Sequence, residues 1–467
     1  MTTTPLSASL RRDLGTLQSY ATLLGILIGA GIFKVTSDAW ALTGPSVILG
    51  YVVLAPAILA TSVAYSVFLS TPLGREPGGE YTHLSRTFGG YGLAFVGVWL
   101  KIISYIGALA YLARAFADYL IELSGGTLPK SAGMPVAIAS LLFFYFFHVA
   151  GIRWFGRIQV WMCALLGISI VVLVVPGLVA IRPVNYQPFF AHGVRGFASS
   201  LPLIFFAYAG FESLAQTAGE VRDSTQRLPR IFLGGIVVTT VIYFLMSVVA
   251  FGVLPGAELR LSDAPMAAVA SRYLPIGAAW FVTFGAVMAL ASSVNATMLV
   301  PSRVAIMLAE DGLAPRWMGA ISSRTGTPVG GLTLTLGVTL VLLVSGQVSL
   351  ALNIAVFALV VLYFLHSLAL LLLPRLNPEL FASVTIPLPL VVQRLSAVVS
   401  MLAMGTLIVL QLARDLSLLT HLSLQQRIDQ GSLTTIELVL FWSAIGAVLY
   451  AVAAKGRRQR TDELTSS

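Results

Sequence analysis

Charged residues are scarce in this sequence of 467 residues, because Asp, Glu, Lys and Arg together make up only 10% of it. Soluble globular proteins carry about 25% charged and about 45–50% apolar residues. Here 57% of the residues are apolar and the mean hydropathy is +0.90. The scarcity of charge excludes a soluble enzyme and a disordered protein. It indicates an all-α polytopic membrane protein.

Cysteine and catalytic motifs are also nearly absent. Cys163 is the only cysteine, so an intramolecular disulfide is excluded. The sequence has no H-E-x-x-H or G-x-S-x-G pattern, and it has no ATP-hydrolysing domain. We therefore predict no enzymatic activity, no resident cofactor and no metal site. The five histidines have no metal-ligand spacing; they are His83, His148, His192, His366 and His421.

Long apolar runs are what the sequence has in their place. A bilayer-spanning helix needs about 20 apolar residues, and twelve segments meet this requirement. An N-terminal segment 1–17 precedes them and a tail 455–467 follows. The predicted spans lie near 18–41, 45–71, 90–121, 134–152, 158–181, 197–219, 231–254, 276–308, 329–346, 350–373, 393–414 and 433–454.

The basic residues predict the orientation of these spans. Most of the 28 Lys and Arg residues fall in one set of alternate loops, and this set includes both ends of the chain. Because basic loops remain in the cytoplasm, both termini are predicted to be cytoplasmic, in the cell (inner) membrane. The net charge of +9 therefore reflects arginine-rich loops, and we predict no nucleic-acid partner. Membrane lipid is the predicted surrounding of the spans.

Most spans are unbroken Leu, Val and Ala runs, but glycines are expected to interrupt two of them at mid-membrane depth, and we call these two the glycine-containing spans. The first contains Gly29 and Gly31, and the sixth contains Gly210. Glycine is a poor helix former, and irregular backbone at this depth is tolerated only where it is buried or lines a cavity. The alternative is close helix packing, because Gly25 and Gly29 also form a G-x-x-x-G contact motif.

The two glycine-containing spans lie five helices apart, so they enter the membrane from opposite sides. This pattern is typical of an inverted 5+5 repeat with its binding site between two broken helices. The predicted repeats are residues 18–181, which hold spans 1–5, and 197–373, which hold spans 6–10. Two further helices follow at 393–454.

Broken helices of this kind have a chemistry that suits an α-amino acid. Unwinding frees the amides of residues 29–32 at the positive end of a half-helix, where they can bind a carboxylate. The carbonyls at the end of the half-helix in the sixth span suit an ammonium group. The predicted substrate-binding residues are Ile28, Gly29, Ala30, Gly31, Ile32, Phe206, Ala207, Tyr208 and Ala209.

These residues resemble the amino acid–polyamine–organocation (APC) family of transporters. Residues 29–33 resemble the G-S/A-G-I-F stretch of its first helix, and 205–212 resemble the F-F-A-Y-x-G-F-E/D stretch of its sixth. Segments 77–81 and 220–229 resemble the G-G-x-Y and E-V-K-N-P elements. The resemblance implies a LeuT-like fold with broken helices 1 and 6, and alternating access around a midplane amino acid site. It also implies that Phe206 is an aromatic gate, although core packing is the alternative.

The resemblance leaves the coupling ion open between H⁺ and Na⁺. Some proton-coupled members carry a Lys in helix five, where this chain has about Leu166-Gly167. In sodium-coupled proteins of this fold, hydroxyls such as those of Ser292 and Ser293 bind the ion, but such hydroxyls also hydrogen-bond neighbouring helices. Symport and antiport are both open.

Ionisable groups inside the spans are costly and are usually functional. Glu212 is predicted to be a proton-responsive group or a hydrogen-bond anchor for the broken helix. Glu220 is predicted to belong to an inner gate network; a solvated loop is the alternative. Arg114 and Asp118 are four residues apart and are predicted to pair on one helix face.

These features together predict a secondary transporter (permease) whose partner is a small-molecule amino acid. No acidic residue falls clearly in the predicted side-chain pocket, and Lys34 after the first break disfavours a cationic substrate. A neutral amino acid is therefore expected. The alternatives are a transporter of another organic amine or a nucleobase, and a non-transporting amino acid sensor. The sequence leaves the oligomeric state open.

Overall fold

A computed structural model describes residues 6–33, 35–346, 348–429 and 434–466, so Lys34 lies outside the described residues. The described chain is helical and contains no β-strand. The α-helices are α1 (Thr16–Leu27), α2 (Ala30–Phe33), α3 (Val35–Thr43), α4 (Val47–Leu69), α5 (Glu80–Phe88), α6 (Gly92–Leu123), α7 (Gly133–Ala150), α8 (Ile152–Gly177), α9 (Gly193–Tyr208), α10 (Ser213–Gln216), α11 (Ser224–Val253), α12 (Gly256–Leu261), α13 (Pro265–Ser271), α14 (Ile276–Glu310), α15 (Arg316–Gly319), α16 (Val329–Val344), α17 (Val348–Leu376), α18 (Pro378–Ala382), α19 (Leu390–His421), α20 (Leu424–Asp429) and α21 (Thr435–Ser466).

Eleven apolar segments of the described chain are long enough to cross a membrane, and α16 is a shorter apolar helix. The protein is therefore an all-helical polytopic membrane protein. The predicted first span, 18–41, is formed by α1, α2 and α3 in succession. The predicted ninth span, 329–346, corresponds to the short helix α16. Most of the predicted tail is helical, because α21 continues to Ser466.

The helices approach each other closely where small residues face a neighbour, as is common in membrane proteins. A Cβ on Gly285 of α14 would lie 1.9 Å from the Ser169 Oγ of α8. A Cβ on Gly25 of α1 would lie 2.3 Å from the Gln159 Nε2 of α8. Helix α14 packs against α1, α6 and α8. These contacts place the middle of α1 in the interior of the bundle.

The N-terminal segment closes one end of the bundle, which we call the terminal face. The Leu14 amide donates to the Glu220 carbonyl at 3.0 Å, and the Arg222 amide donates to the Leu14 carbonyl at 2.9 Å. The Arg153 guanidinium binds the Asp13 carboxylate at 2.8 and 3.1 Å. The segment therefore joins α8 to the loop that precedes α11.

Helix α21 is held to α6 by a reciprocal pair of tryptophans. The Trp99 Nε1 donates to the Trp442 carbonyl at 2.7 Å, and the Trp442 Nε1 donates to the Trp99 carbonyl at 2.8 Å. Their rings stack with centroids 4.4 Å apart. Tyr450 packs on Phe95 near the start of α6, so the two helices run antiparallel. Only 6% of the apolar part of α21 is buried.

Candidate functional site

The chain is interrupted at both glycine-containing spans, and the two breaks meet. Helix α1 ends at Leu27 and α2 begins at Ala30, while α9 ends at Tyr208 and α10 begins at Ser213. A Cβ on Gly31 would lie 2.6 Å from the Cα of Ala207 and 2.9 Å from its carbonyl oxygen. Glycine is therefore required at residue 31 for this contact.

A small cavity lies between the two breaks. Its volume is about 30 Å³, and a cavity needs about 10–15 Å³ to hold one water molecule. The site is thus nearly closed in this conformation, and its side chains must separate to admit a larger solute. The lining residues come from α1, α2, α6, α9, α14 and α17 and the turn after α9: Ile26, Leu27, Gly31, Ser104, Tyr105, Ala108, Leu112, Phe206, Ala207, Ala209, Gly210, Thr297 and Leu359.

The predicted binding residues divide into two groups. Gly31, Phe206, Ala207 and Ala209 line the cavity. Four other predicted residues are not among those that line it and lie at or beside the breaks: Ile28, Gly29, Ile32 and Tyr208. Ala30 is the first residue of α2.

Gly29 faces α14 instead of the cavity, because a Cβ there would lie 1.8 Å from the Ser293 Oγ. Ser292 and Ser293 donate to the Gly25 carbonyl at 2.9 and 2.7 Å. The Gln159 amide donates to the Ala21 carbonyl at 3.2 Å. The serines predicted to take part in coupling therefore join α14 to carbonyls of α1.

Tyr208 turns away from the cavity, and Tyr243 of α11 contacts both breaks. The Tyr208 hydroxyl donates to the Tyr51 carbonyl at 2.9 Å. The Tyr243 hydroxyl contacts the Leu27 carbonyl and lies 2.6 Å from the Ala207 carbonyl. The Ala207 carbonyl, predicted to be free, has this hydroxyl as a partner.

Phe206 is buried at the edge of the cavity. Its ring meets the ring of Tyr111 edge-on, with centroids 5.9 Å apart. The Tyr111 hydroxyl donates to the Asp38 carboxylate at 3.1 Å. Phe206 therefore packs between the cavity and a polar contact joining α3 to α6, which fits either a gate or a packing role.

Glu212 is fully buried just after the α9 break, and its carboxylate is held on every side. The Tyr105 hydroxyl donates to Oε1 at 2.6 Å, and the Tyr363 hydroxyl donates to Oε2. The Gly210 amide donates to Oε2 at 3.0 Å. Glu212 thus anchors the broken backbone and links it to α6 and α17. Tyr105 and Gly210 are the members of this group that line the cavity.

Glu220 forms a buried ion pair with Arg303 of α14. The guanidinium binds the carboxylate at 2.9 and 3.2 Å, and the two side chains are 0% and 1% exposed. The backbone of Glu220 also binds Leu14. Glu220 therefore has Arg303 as its buried partner, and its role in an inner gate stays a prediction. The nearby Arg227 pairs with Asp223 at 2.8 Å at the surface.

Sequence reasoning missed the cavity residues of α6, α14 and α17, above all Ser104, Tyr105 and Thr297. These residues lie in helices with no glycine break, so no local signal marked them. It also missed Tyr243. The ion pair between Arg114 and Asp118, predicted from their spacing, is confirmed at 3.3 Å.

The bundle of spanning helices with two interrupted segments around a central cavity defines a multi-pass membrane protein of the transporter class. The model of the family described as "Amino acid permease" matches residues 14–418. The chain belongs to this amino acid permease family, whose members are transporters and not enzymes.

Three relatives illustrate the range of the family, each 26% identical to this chain. The branched-chain amino acid permease BcaP of Bacillus subtilis aligns over 68% of this chain and 72% of its own length. The methylthioribose transporter of the same organism aligns over 84% and 87%. Cationic amino acid transporter 1 of Arabidopsis thaliana aligns over 68% of this chain and 55% of its own length.

Proposed function

We propose that this protein is a secondary active transporter that moves a neutral amino acid across the cell membrane by alternating access. The observation that carries the proposal is the cavity between two helix breaks, one contributing Gly31 and the other Phe206 and Ala207. Family membership supports amino acid transport. The nearly closed cavity supports a cycle in which the site opens to one side at a time.

The substrate carboxylate binds at the break between α1 and α2, and the amine binds at the break between α9 and α10. The first turn of a helix leaves amides without partners, and the last turn leaves carbonyls. Residues 30–32 supply the amides. Around Phe206 and Ala207 the carbonyls are at the negative end of α9. The Tyr243 hydroxyl donates to the Ala207 carbonyl, and the ammonium group of the substrate takes its place.

A neutral side chain fits the remaining lining best. Among the described residues, the cavity lining contains no Asp, Glu, Lys or Arg, and it is mostly aliphatic. The nearby carboxylate of Glu212 is already bound by Tyr105, Tyr363 and Gly210. A cationic side chain would therefore be desolvated without a free partner, which is costly in a membrane protein. Among the relatives, the name of BcaP agrees with a branched-chain substrate.

The same proposal includes a LeuT-like arrangement of twelve crossings. Its repeats are 18–181 and 197–373, with α16 as the ninth crossing, and 393–454 adds two helices. The contact between the two breaks supports this arrangement. The antiparallel pairing of α21 with α6 supports two termini on the same face, and the basic loops favour the cytoplasm for that face.

The experiment is uptake of radiolabelled amino acids by the full chain in proteoliposomes, with Gly31→Ala and Gly167→Ala compared. Gly167 of α8 has open space where a Cβ would stand, so this variant is the matched control. We expect saturable uptake of neutral amino acids by the native protein and the control. Gly31→Ala is expected to abolish uptake, because its Cβ would overlap Ala207.

Three results would redirect the proposal. Uptake of cationic amino acids in preference to neutral ones would overturn the substrate class. Uptake of another organic solute alone, such as methylthioribose or a nucleobase, would overturn the amino acid assignment. Binding of an amino acid without flux, by protein shown to be folded, would identify a sensor.

A further inference from the structure

A second buried carboxylate lies outside the substrate cavity. Glu80 begins α5 and is 1% exposed. The Lys101 ammonium of α6 lies 2.6 Å from its Oε2, and the Gln216 amide of α10 donates to the same oxygen at 2.6 Å. The Tyr65 hydroxyl of α4 donates to Oε1. Glu80 therefore joins four helices through one carboxylate, and Lys101 is equally buried.

This carboxylate is connected to the cavity by aromatic hydroxyls on two sides. Lys101 lies 5.3 Å from the ring centroid of Tyr105, which lines the cavity and donates to Glu212. The Tyr65 ring lies 6.1 Å from the ring of Tyr363, which also donates to Glu212. A series of tyrosines, joined by ring contacts and by hydrogen bonds to the two carboxylates, thus runs from the substrate site to Glu80.

Helix α10 lies between the Glu212 and Glu80 carboxylates and is joined to both. Glu212 immediately precedes α10, and Gln216 is its last residue. A movement of α10 relative to α5 and α6 therefore changes the surroundings of both carboxylates at once. Glu220 follows after one further turn and binds Arg303 at the terminal face. The series consequently extends from the cavity toward that face.

The partners of Glu80 suit both of its protonation states. As a carboxylate it accepts from Lys101, Gln216 and Tyr65. As a carboxylic acid it needs an acceptor, and the Gln216 Oε1 is buried without a hydrogen-bond partner among the described residues. Rotation of that amide by half a turn presents Oε1 to the acid proton. A purely structural ion pair has no use for this second arrangement.

Burial of Glu80 also favours its protonated form. It raises the pKa of Glu80, while Lys101 opposes the shift and Glu212 adds to it. The titratable or charged groups around Glu80 are Lys101 and Tyr105 on α6, Tyr65 on α4, Tyr363 and His366 on α17, Glu212 after α9, His83 on α5 and Asp311 after α14.

We propose that Glu80, paired with Lys101, is the proton-binding site that couples substrate movement to a proton gradient. In each cycle the Glu80 carboxylate takes up one proton from one side and becomes a neutral acid beside Lys101. Movement of α10 then exposes the acid to the other side, where the same proton leaves. The inference rests on the proposed function, because it requires a transported substrate.

The test separates exchange from proton-driven accumulation in proteoliposomes that hold the full chain and a pH-sensitive dye. Exchange of labelled against unlabelled substrate is measured without a pH gradient. Accumulation is measured with one pH unit across the membrane, which supports about tenfold accumulation for one coupled proton. The variants are Glu80→Gln and the charge-neutral double variant Glu80→Gln/Lys101→Gln. Glu258→Gln removes an exposed acid that pairs with Arg272 at 2.5 Å and is the control.

We expect the native protein and Glu258→Gln to accumulate substrate and to carry protons inward with it. Glu80→Gln and the double variant are expected to lose accumulation and proton flux, about tenfold, while exchange continues at a rate that no longer depends on pH. The double variant keeps the test valid if the lone Lys101 charge prevents folding of Glu80→Gln.

Other outcomes overturn the inference. Proton-driven accumulation by the folded variants would show that another group carries the proton. Loss of exchange together with accumulation would assign the pair a structural role. Exchange by a native protein that ignores the pH gradient would exclude proton coupling and leave the proposed function intact. A folded native protein that moves no substrate in either assay would overturn the proposed function itself.

Discussion

The Tyr243 hydroxyl of α11 lies between the carbonyl oxygens of Leu27 and Ala207, 2.6 Å from the second. Leu27 is the last residue of α1, and Ala207 lies in the last turn of α9. Carbonyls at helix ends have no partner within the helix. The Leu27 carbonyl also accepts from the Gly29 amide at 2.9 Å, so the single hydroxyl proton of Tyr243 chiefly serves the Ala207 carbonyl. Through these contacts one side chain from a third helix holds the two breaks together.

Removal of that hydroxyl should affect both stability and transport. In Tyr243→Phe the buried Ala207 carbonyl loses its donor, which costs about 1–3 kcal/mol. We expect a lower Tm and at least a severalfold slower uptake of the neutral substrate. Tyr273→Phe is the control, because its hydroxyl binds the Leu173 carbonyl away from the cavity. Equal uptake by the two variants would deny Tyr243 a role in the site.

The ion pair between Glu220 and Arg303 should be far more sensitive than a surface pair. Removing one partner of a buried pair costs about 3–5 kcal/mol, because the other charge stays buried. Glu220→Gln should therefore lower the Tm strongly, and Glu220→Gln/Arg303→Met should recover part of the loss. Asp223→Asn, which breaks the exposed pair with Arg227, should change the Tm little. A similar small effect of Glu220→Gln would contradict the buried pairing.

Uptake is expected to be independent of sodium. The Gly25 carbonyl already accepts from Ser292 and Ser293, and the Ala21 carbonyl accepts from Gln159 and from the Cys163 thiol. Amide and thiol donors so close to these carbonyls leave poor surroundings for a cation, which needs oxygen ligands. The measurement is initial uptake with sodium replaced by choline at constant ionic strength. A loss of uptake in choline, restored by sodium alone, would overturn this expectation.

Acidification should destabilise the protein through His83. Burial lowers the pKa of His83 to about 3, whereas a histidine in the unfolded chain titrates near pH 6.5. Stability is therefore full above about pH 6.5 and falls as the pH drops, by about 1.4 kcal/mol per pH unit. We expect the Tm to fall between pH 7 and pH 5, and to fall less in His83→Gln.

The control for this pH dependence is His192→Gln, since His192 is exposed in the segment before α9. This variant should follow the native curve. An unchanged slope in His83→Gln would show that other groups control the acid sensitivity. The structural reason for the expectation is the packing of His83 on Phe68, with ring centroids 4.8 Å apart, and its contact with His366 at 2.9 Å.

The helices and their breaks could be predicted because the signals are local. Apolar length marks the spans, and glycines at 29, 31 and 210 mark the interruptions. The i,i+4 spacing was also enough for Arg114 and Asp118. These features depend on neighbours in the sequence, which a single chain displays directly.

The partners across the bundle could not be predicted in the same way. Lys101 was recognisable as a charge within a span, but its partner Glu80 lies in a segment outside the predicted spans. Arg303 lies 83 residues from Glu220, and no spacing rule connects them. Such pairs depend on how helices rotate and pack, so only the three-dimensional structure identifies them.

The tryptophan pair between α6 and α21 has a consequence for how the surrounding lipid acts on transport. Each indole of Trp99 and Trp442 donates a hydrogen bond to the backbone carbonyl of the other residue. These bonds attach α21 to α6. Helix α6 carries Ser104 and Tyr105 into the cavity, whereas few residues in the apolar part of α21 are buried. A bilayer that is too thick or too thin tilts exposed helices. Because the tryptophan pair transmits a tilt of α21 to α6, we expect membrane thickness to change the shape of the substrate site.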